Sequence, residues 1–359
     1  MLVVNARNVQ QIIPETARAL LRVGVNRNSR NGKVRAFPEP VTSVYRKPLE
    51  RVIFWADRDA NPFFHLYESL WMLGGLNTVE PLAQYVERMR NFSDDGVTFH
   101  GAYGYRWRNH FNLDQLPAII EGLKANPDDR RQVLSMWDAN ADLGRQGKDL
   151  PCNLQCVFSV THDNRLDMMV TNRSNDMIWG AYGANAVHFS VLQEYIAAGV
   201  GVPVGVYRQV SNNLHVYEGL FEVLAHLADD AGNPFIPHDV HWTMRDPYHA
   251  KKVEPFPLVK DFDTFNSELE MFLTDYSAMG FTEPFLRKIA VPMHAAYAIF
   301  KDTSNPNRYD DALAVLANMP EKNDWRRAGE EWIMRRKDKA LARLKRAEDD
   351  GVIYDDPSE

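Results

Sequence analysis

The chain has 359 residues, of which 45% are hydrophobic and 25% charged. This is ordinary globular composition, with length for one large domain or two small ones. A formal net charge of −7 argues against bulk attraction to nucleic acid, although a local basic patch is still able to hold a small anion.

Two cysteines four residues apart, Cys152 and Cys156, cannot staple a protein of this size, and no Cys/His cluster has zinc spacing. A reducing, cytoplasmic setting without a metal is expected. The N-terminus has polar and charged residues among its apolar positions, unlike a signal peptide. No run of roughly 18 apolar residues is present, so no membrane span is expected.

Residues 1–24 predict a short strand, then a helix with Ile12, Ala17, Leu20 and Leu21 on its apolar side. Residues 26–32 read as a polar loop carrying Arg27 and Arg30, either solvated or closing on an anion. Residues 62–73 predict a buried helix capped by Gly74 and Gly75. Glu68 lies among its apolar residues, so it is either paired in the core or an acid/base group. A helix with Leu116, Ile119, Ile120 and Leu123 on one face precedes a strand over 132–137, and Arg130 and Arg131 stand at that strand's start. Paired arginines there are either surface charge or a forked phosphate clamp.

The stretch 149–185 organises the chain. Leu154 to Val160 and Leu166 to Thr171 alternate as strands joined by a His162-Asp163-Asn164 turn. Cys152 then stands at the mouth of one strand and Arg173-Ser174 at the end of its neighbour. A cation beside a thiol favours the nucleophilic thiolate. Asn185 opens a helix to about Ala198, a strand runs from Val202 to Val210, and the stripe Val216, Leu220, Val223, Leu224, Leu227 predicts a helix over 215–228, with His215 and Tyr217 at its start. Leu258 to Phe262 reads as a strand. Tyr309 to Met319 and Asp324 to about Glu348 read as helices. The last is taken as a solvated accessory helix, its Glu330, Glu331, Arg335 and Arg336 at the spacing of paired surface charges. Tyr354 to Glu359 reads as a disordered tail.

Several of these segments, in order, resemble the thymidylate synthase family over roughly residues 25–260. Pro151-Cys152 is similar to its nucleophile motif, and Asn172-Arg173-Ser174-Asn175-Asp176 to its Q-R-S-x-D motif. Asn213-Leu214-His215-Val216-Tyr217 is similar to its D-x-H-x-Y motif, and Tyr67-Glu68-Ser69-Leu70-Trp71 to its H-E-L-L-W helix. Residues 101–107 resemble P-V-Y-G-x-x-W. Asp129-Arg130-Arg131 resembles the arginine pair lent to the neighbouring subunit, and Arg30 lies where the family carries a mobile phosphate-binding arginine.

The resemblance implies an α/β (α+β) fold, with a large twisted mixed sheet flanked by helices and packed face to face in a homodimer. It implies a catalytic domain over 1–305 and an added helical segment over 306–359. The substrates implied are a pyrimidine mononucleotide and the co-substrate 5,10-methylenetetrahydrofolate, with no metal. Cys152 would add at C6 of the base and thereby make C5 nucleophilic, with Arg173 favouring the thiolate. Arg30, Arg173, Ser174 and a partner's Arg130 and Arg131 would cage the phosphate. His215 and Tyr217 would hold the sugar hydroxyl. Asp176, Glu68 and Trp71 would serve the folate, while Glu68 and Tyr103 would move protons. Asn185 would read uracil, since an amide both donates and accepts.

Three departures bear on the product. Residues 88–95 lack the family's W-D-x-W tryptophans, the C-terminus is acidic, and Asn153 replaces a histidine after the nucleophile. A wetter pocket lets water complete the reaction, so a dUMP hydroxymethylase, serving modified phage DNA, is expected. A thymidylate synthase, a dCMP or CMP hydroxymethylase, and a non-catalytic nucleotide- or RNA-binding relative are the alternatives.

Overall fold

The computed structural model describes residues 1–229, 236–276 and 280–349. The acidic tail invoked above, including Tyr354 to Glu359, lies outside the described residues. Ten strands among the described residues form two sheets: β1 (Leu2–Ala6), β2 (Val25–Ser29), β3 (Gly32–Ala36), β4 (Val41–Tyr45), β5 (Val133–Ser135), β6 (Asn153–Val160), β7 (Leu166–Asn172), β8 (Asn175–Asp176), β9 (Val204–Ser211) and β10 (Leu214–Tyr217). The large mixed sheet has the order β1-β4-β9-β7-β6-β5, and the small one β2-β3-β10-β8.

The alternation in β6 and β7 does what a period of two requires. Cys156, Phe158, Met168 and Val170 are buried on one face, together with Tyr207 and Gln209 of β9. The turn between β6 and β7 is closed by Asn164 at φ 58°, a left-handed conformation that asparagine tolerates. The helices Pro62–Leu73 and Asn185–Val200 belong to the same apolar core. Asn61 caps the first by accepting from the Phe64 N–H at 3.1 Å.

The two sheets meet at a seam that positions the site. Strands β7 and β9 are parallel neighbours in the large sheet, and their continuations β8 and β10 are parallel neighbours in the small one. The crossing points lie side by side: Asn212 N–H donates to the Asn172 carbonyl at 2.9 Å, and Asn175 N–H to the Asn213 carbonyl at 2.8 Å. Arg173-Ser174 and Asn212-Asn213 are therefore adjacent linkers between the same two sheets.

Four expectations change. The polar loop over 26–32 is a hairpin of β2 and β3, turned at Gly32 with φ 116°, where a side chain would be strained. His215 and Tyr217 lie on β10, not at a helix start; pairing of 215–217 with β3 overrides the helical stripe, and the helix is Phe221–Asp229. The expected strand at 258–262 is absent, because Asp261 caps a helix, Phe262–Thr274, through the Thr264 N–H at 2.9 Å. The helix Asp324–Asp349 is not simply solvated: Trp325, Ala328, Trp332 and Ile333 are buried, and Trp332 meets Phe63 edge-on at 5.6 Å. Its charges pair as Arg326–Glu330 and Arg327–Glu331, whereas Arg335 and Arg336 reach Asp59.

Candidate active site

A loop over 147–152 delivers Cys152 to the start of β6, and a different segment holds it at almost every residue. Arg30, at the hairpin tip, donates to the Gly147 carbonyl at 3.0 Å. Asp94 accepts from the Lys148 N–H at 3.0 Å, and Asp149 from the Gly101 N–H at 2.7 Å. Arg173 donates to the Leu150 and Pro151 carbonyls at 3.1 and 2.8 Å. The Tyr103 hydroxyl accepts from the Cys152 and Asn153 N–H groups at 3.2 and 3.3 Å. Arg30, Tyr103, Cys152 and Arg173 are thus brought together around one loop.

The thiol is not a ready thiolate. Burial pushes Cys152 up and Asp149 adds to this, against the opposing pull of Arg173 and Arg30. Arg173 pulls toward the thiolate, but desolvation outweighs that pull. The Arg173 guanidinium is committed to loop carbonyls and lies 5.8 Å from the Trp137 ring.

Behind Cys152 runs a buried chain of amides. Asn172 donates to Asn153, Asn153 to Asn185 at 3.4 Å, Asn185 to Asn175 at 3.1 Å, and Asn175 to the Ser211 hydroxyl at 3.2 Å. Each amide in such a chain fixes the orientation of the next. Asn185 keeps one N–H and one acceptor lone pair uncommitted. Asn153, noted only as a departure, is therefore the support of Asn185.

Across the core, Glu68 Oε2 lies 3.2 Å from His188 Nε2. No hydrogen bond joins them, and both are buried polar atoms without a partner among the described residues, a state that native interiors usually avoid. Trp71 is buried edge-on to Phe99 at 6.2 Å, and its indole N–H has no partner among the described residues.

Asp176 sits on β8 in register with His215 on β10. Its Oδ1 accepts from the Trp179 N–H at 2.5 Å, while Oδ2 is buried and has no hydrogen-bond partner among the described residues. Burial raises its carboxyl, against His215 and Arg58. His215 and Tyr217 stack edge-on at 5.2 Å. Sequence reasoning missed what flanks Asp176. The exposed Trp179 indole has Arg58 over it at 4.4 Å and Arg88 at 5.1 Å. Arg58 is buried, donates to the Ile178 carbonyl at 2.7 Å, and is pushed down to about 10, chiefly by burial. Segment 88–95, which lacks tryptophan, thus meets an indole supplied by residue 179.

Ser174 is half-buried in the β7–β8 linker. Arg130 and Arg131 are not brought to Cys152. Both are exposed at the β5 edge, and Arg131 pairs with its own Asp129 at 2.9 Å.

A thiol held beside cations, a buried carboxylate and a cationic aromatic shelf are all set at the seam between two sheets, an arrangement suited to an anionic substrate. The thymidylate synthase family model matches residues 18–256, and the chain belongs to that family. It is 61% identical, over 99% of its length and 100% of the relative's, to the deoxyuridylate hydroxymethyltransferase of Pseudomonas phage M6. It is 36% identical to the protein of the same name from Bacillus phage SP01, covering 71% of this chain and 68% of that one. Similarity to the thymidylate synthase of Streptococcus sanguinis is 41% identity over 36% of this chain and 45% of that one.

Proposed function

We propose that this protein is a deoxyuridylate hydroxymethylase, converting dUMP, 5,10-methylenetetrahydrofolate and water to 5-hydroxymethyl-dUMP and tetrahydrofolate. The observation that carries the reading is whole-length similarity to a relative of that name, joined to a site that retains the family's chemistry around Cys152. The co-substrate supplies the methylene carbon. Cys152 sulfur adds to C6, the electron pair moves into an enolate, and C5 becomes the carbon nucleophile. Substrate phosphate beside Arg30 and Arg173 lets those cations leave the loop carbonyls for a stronger, charge-assisted partner. Glu68 and Tyr103 move protons, and Asn185 reads O4 and N3–H of uracil with its uncommitted lone pair and N–H. Ser174, His215 and Tyr217 take phosphate and sugar.

Asp176 Oδ2 is a buried acceptor that fits the N–H donors of a pterin. The Trp179 shelf between Arg58 and Arg88 fits an aryl ring with an anionic tail, and Trp71 backs the Glu68 helix. No group of side chains with metal-ligand character occurs among the described residues, and the chemistry assigned above needs no metal.

The enzyme acts as a homodimer in the host cytoplasm, where both substrates occur. The less buried face of the large sheet, with Val133 and Met169 exposed, meets its copy, and Arg130 and Arg131 serve the partner's phosphate. Residues 1–305 form the catalytic domain and 306–359 a C-terminal helical extension and tail, of which 350–359 lie outside the described residues. The test is a product assay with dUMP, dCMP, UMP and CMP resolved by mass. Hydroxymethyl-dUMP with tetrahydrofolate supports the reading; thymidylate with dihydrofolate overturns it.

A further inference from the structure

We infer that Asp149 is the general base that deprotonates the attacking water in the hydroxymethyl-forming step. This rests on the hydroxymethylase reading above.

The placement is specific. Asp149 lies three residues before Cys152 in the loop. Both are tied to one short segment: Gly101 N–H holds Asp149 Oδ2 at 2.7 Å, and the Tyr103 hydroxyl holds the Cys152 N–H at 3.2 Å. The carboxyl is packed so closely on Gly101 that a Cβ there would stand 2.9 Å from Oδ1. Oδ2 is thereby fixed, and Oδ1 has no hydrogen-bond partner among the described residues. A base needs this arrangement: one oxygen anchored, the other available.

The surroundings are polar. Asp94, which accepts from the Lys148 N–H, and His100, next to Gly101 in the chain, line a neighbouring cavity of about 240 Å³ with Asp95, Tyr105, His110 and Arg145. Burial raises the Asp149 carboxyl and Asp94 raises it further, against the Gly101 N–H, His100 and Arg106. Cys152 and Tyr103 are the other titratable neighbours. A carboxylate raised toward the working pH is the better base. Glu68 is on another element, against His188, so the two carboxylates can divide the work between the C5 proton and water.

The step balances. With tetrahydrofolate departed, the nucleotide carries an exocyclic methylene at C5 and the Cys152 sulfur at C6. Water oxygen bonds the methylene carbon while its O–H bond breaks and the proton passes to Asp149. The methylene π pair moves into the ring as the O4 enolate. The enolate then collapses, re-forming C5=C6 and expelling the Cys152 thiolate.

The test uses the full-length protein and its Asp149→Asn and Asp149→Glu variants. The amide of Asp149→Asn still accepts from Gly101 but cannot take a proton. Three readouts are compared: covalent complex formation with 5-fluoro-dUMP and methylenetetrahydrofolate, release of tritium from C5-labelled dUMP, and hydroxymethyl product. In a single turnover with enzyme in excess, Asp149→Asn should form the complex and release tritium near the wild-type rate. Its product should fall about a hundredfold or more, an added thiol should trap the methylene, and the rise of rate with pH should flatten. Asp149→Glu should recover part of the product. Parallel loss of tritium release and product, unchanged product, or failure of Asp149→Asn to form the fluoro-nucleotide complex would each overturn the assignment. A wild-type enzyme that makes thymidylate instead would overturn the hydroxymethylase reading itself, a separate result.

Discussion

The Cys152 amide points at the Tyr103 hydroxyl, 3.2 Å away, and the next amide, Asn153, shares the same oxygen at 3.3 Å. One phenol thus anchors the backbone at Cys152 from a helix that starts almost 50 residues earlier. Burial and the nearby Cys152 raise that phenol, so it stays protonated and neutral. Tyr103→Phe would leave two N–H groups without their acceptor, at a cost of about 1–3 kcal/mol. The cost falls on the loop that carries the thiol. Adduct formation with 5-fluoro-dUMP, followed by intact-protein mass, is expected to slow about tenfold or more, with a small fall in Tm.

Asn185 is the second lever. Its oxygen accepts from Asn153 and its nitrogen donates to Asn175. Asn185→Asp removes the donor that matches uracil O4 and offers an acceptor to the 4-amino group of cytosine. Turnover of dUMP is expected to drop about a hundredfold or more, with dCMP gaining relative to dUMP. Competition between the two nucleotides in one reaction, resolved by mass, measures that ratio directly. Unchanged preference would remove Asn185 from base recognition.

Gly183 tests the Trp179 shelf. A Cβ at this position would stand 2.6 Å from Arg58 Nη2 and 2.8 Å from the Ile178 carbonyl. The second atom is backbone and cannot swing away. Gly183→Ala is expected to cost about 1–3 kcal/mol and to displace Arg58 from Trp179. Methylenetetrahydrofolate KM should rise while dUMP KM stays close to wild type.

The strand pair around Cys152 and Arg173 was legible because alternation and turn chemistry agree with the tertiary structure: Asn164 takes the positive φ, and Cys156, Phe158, Met168 and Val170 face inward. His215 was misplaced because Val216, Leu220, Val223, Leu224 and Leu227 fit a helical period. Only pairing of Val216 with Arg35, and of His215 with Asp176, decides otherwise. Trp179, Arg58 and Arg88 come from three distant segments, so no local pattern joins them. Trp325 and Trp332 were hidden by the charges between them, which turn outward. Asp149 fell inside the stretch read most closely, yet its tie to Gly101 exists only in three dimensions.

Stability should carry a pH signature from Asp324. This carboxyl is buried, accepts from the Tyr248 hydroxyl at 2.8 Å, and is pushed up to about 7, chiefly by burial. Its folded value thus lies above the unfolded one of about 3.9. Folding then favours the protonated form, so the group's contribution is fully present below about pH 4 and is lost as pH rises through about 7. Asp324→Asn keeps an acceptor for Tyr248 without the charge. The difference in Tm between variant and wild type should grow in the variant's favour from about pH 4 to 7 and then level off. A flat difference would mean that Asp324 ionises as an ordinary carboxylate.

The last prediction concerns the C-terminal helix and Glu68. Trp332 is buried, meets Phe63 at 5.6 Å, and carries the Arg336 guanidinium on its other side at 3.7 Å. Phe63 belongs to the Pro62–Leu73 helix that presents Glu68. Arg335 and Arg336 also bind Asp59, just ahead of that helix and beside Arg58. This helix therefore grips the element that bears Glu68, the carboxylate proposed to move protons, and the segment that bears Arg58. Trp332→Ala leaves a large void and is expected to cost about 3–5 kcal/mol, seen as a lower denaturant midpoint at unchanged slope. At temperatures where the variant remains folded, tritium release from dUMP should fall more than nucleotide binding, because Glu68 loses its backing while the Cys152 loop keeps its own. Equal losses in both would show the helix to be a general stabiliser with no particular hold on Glu68.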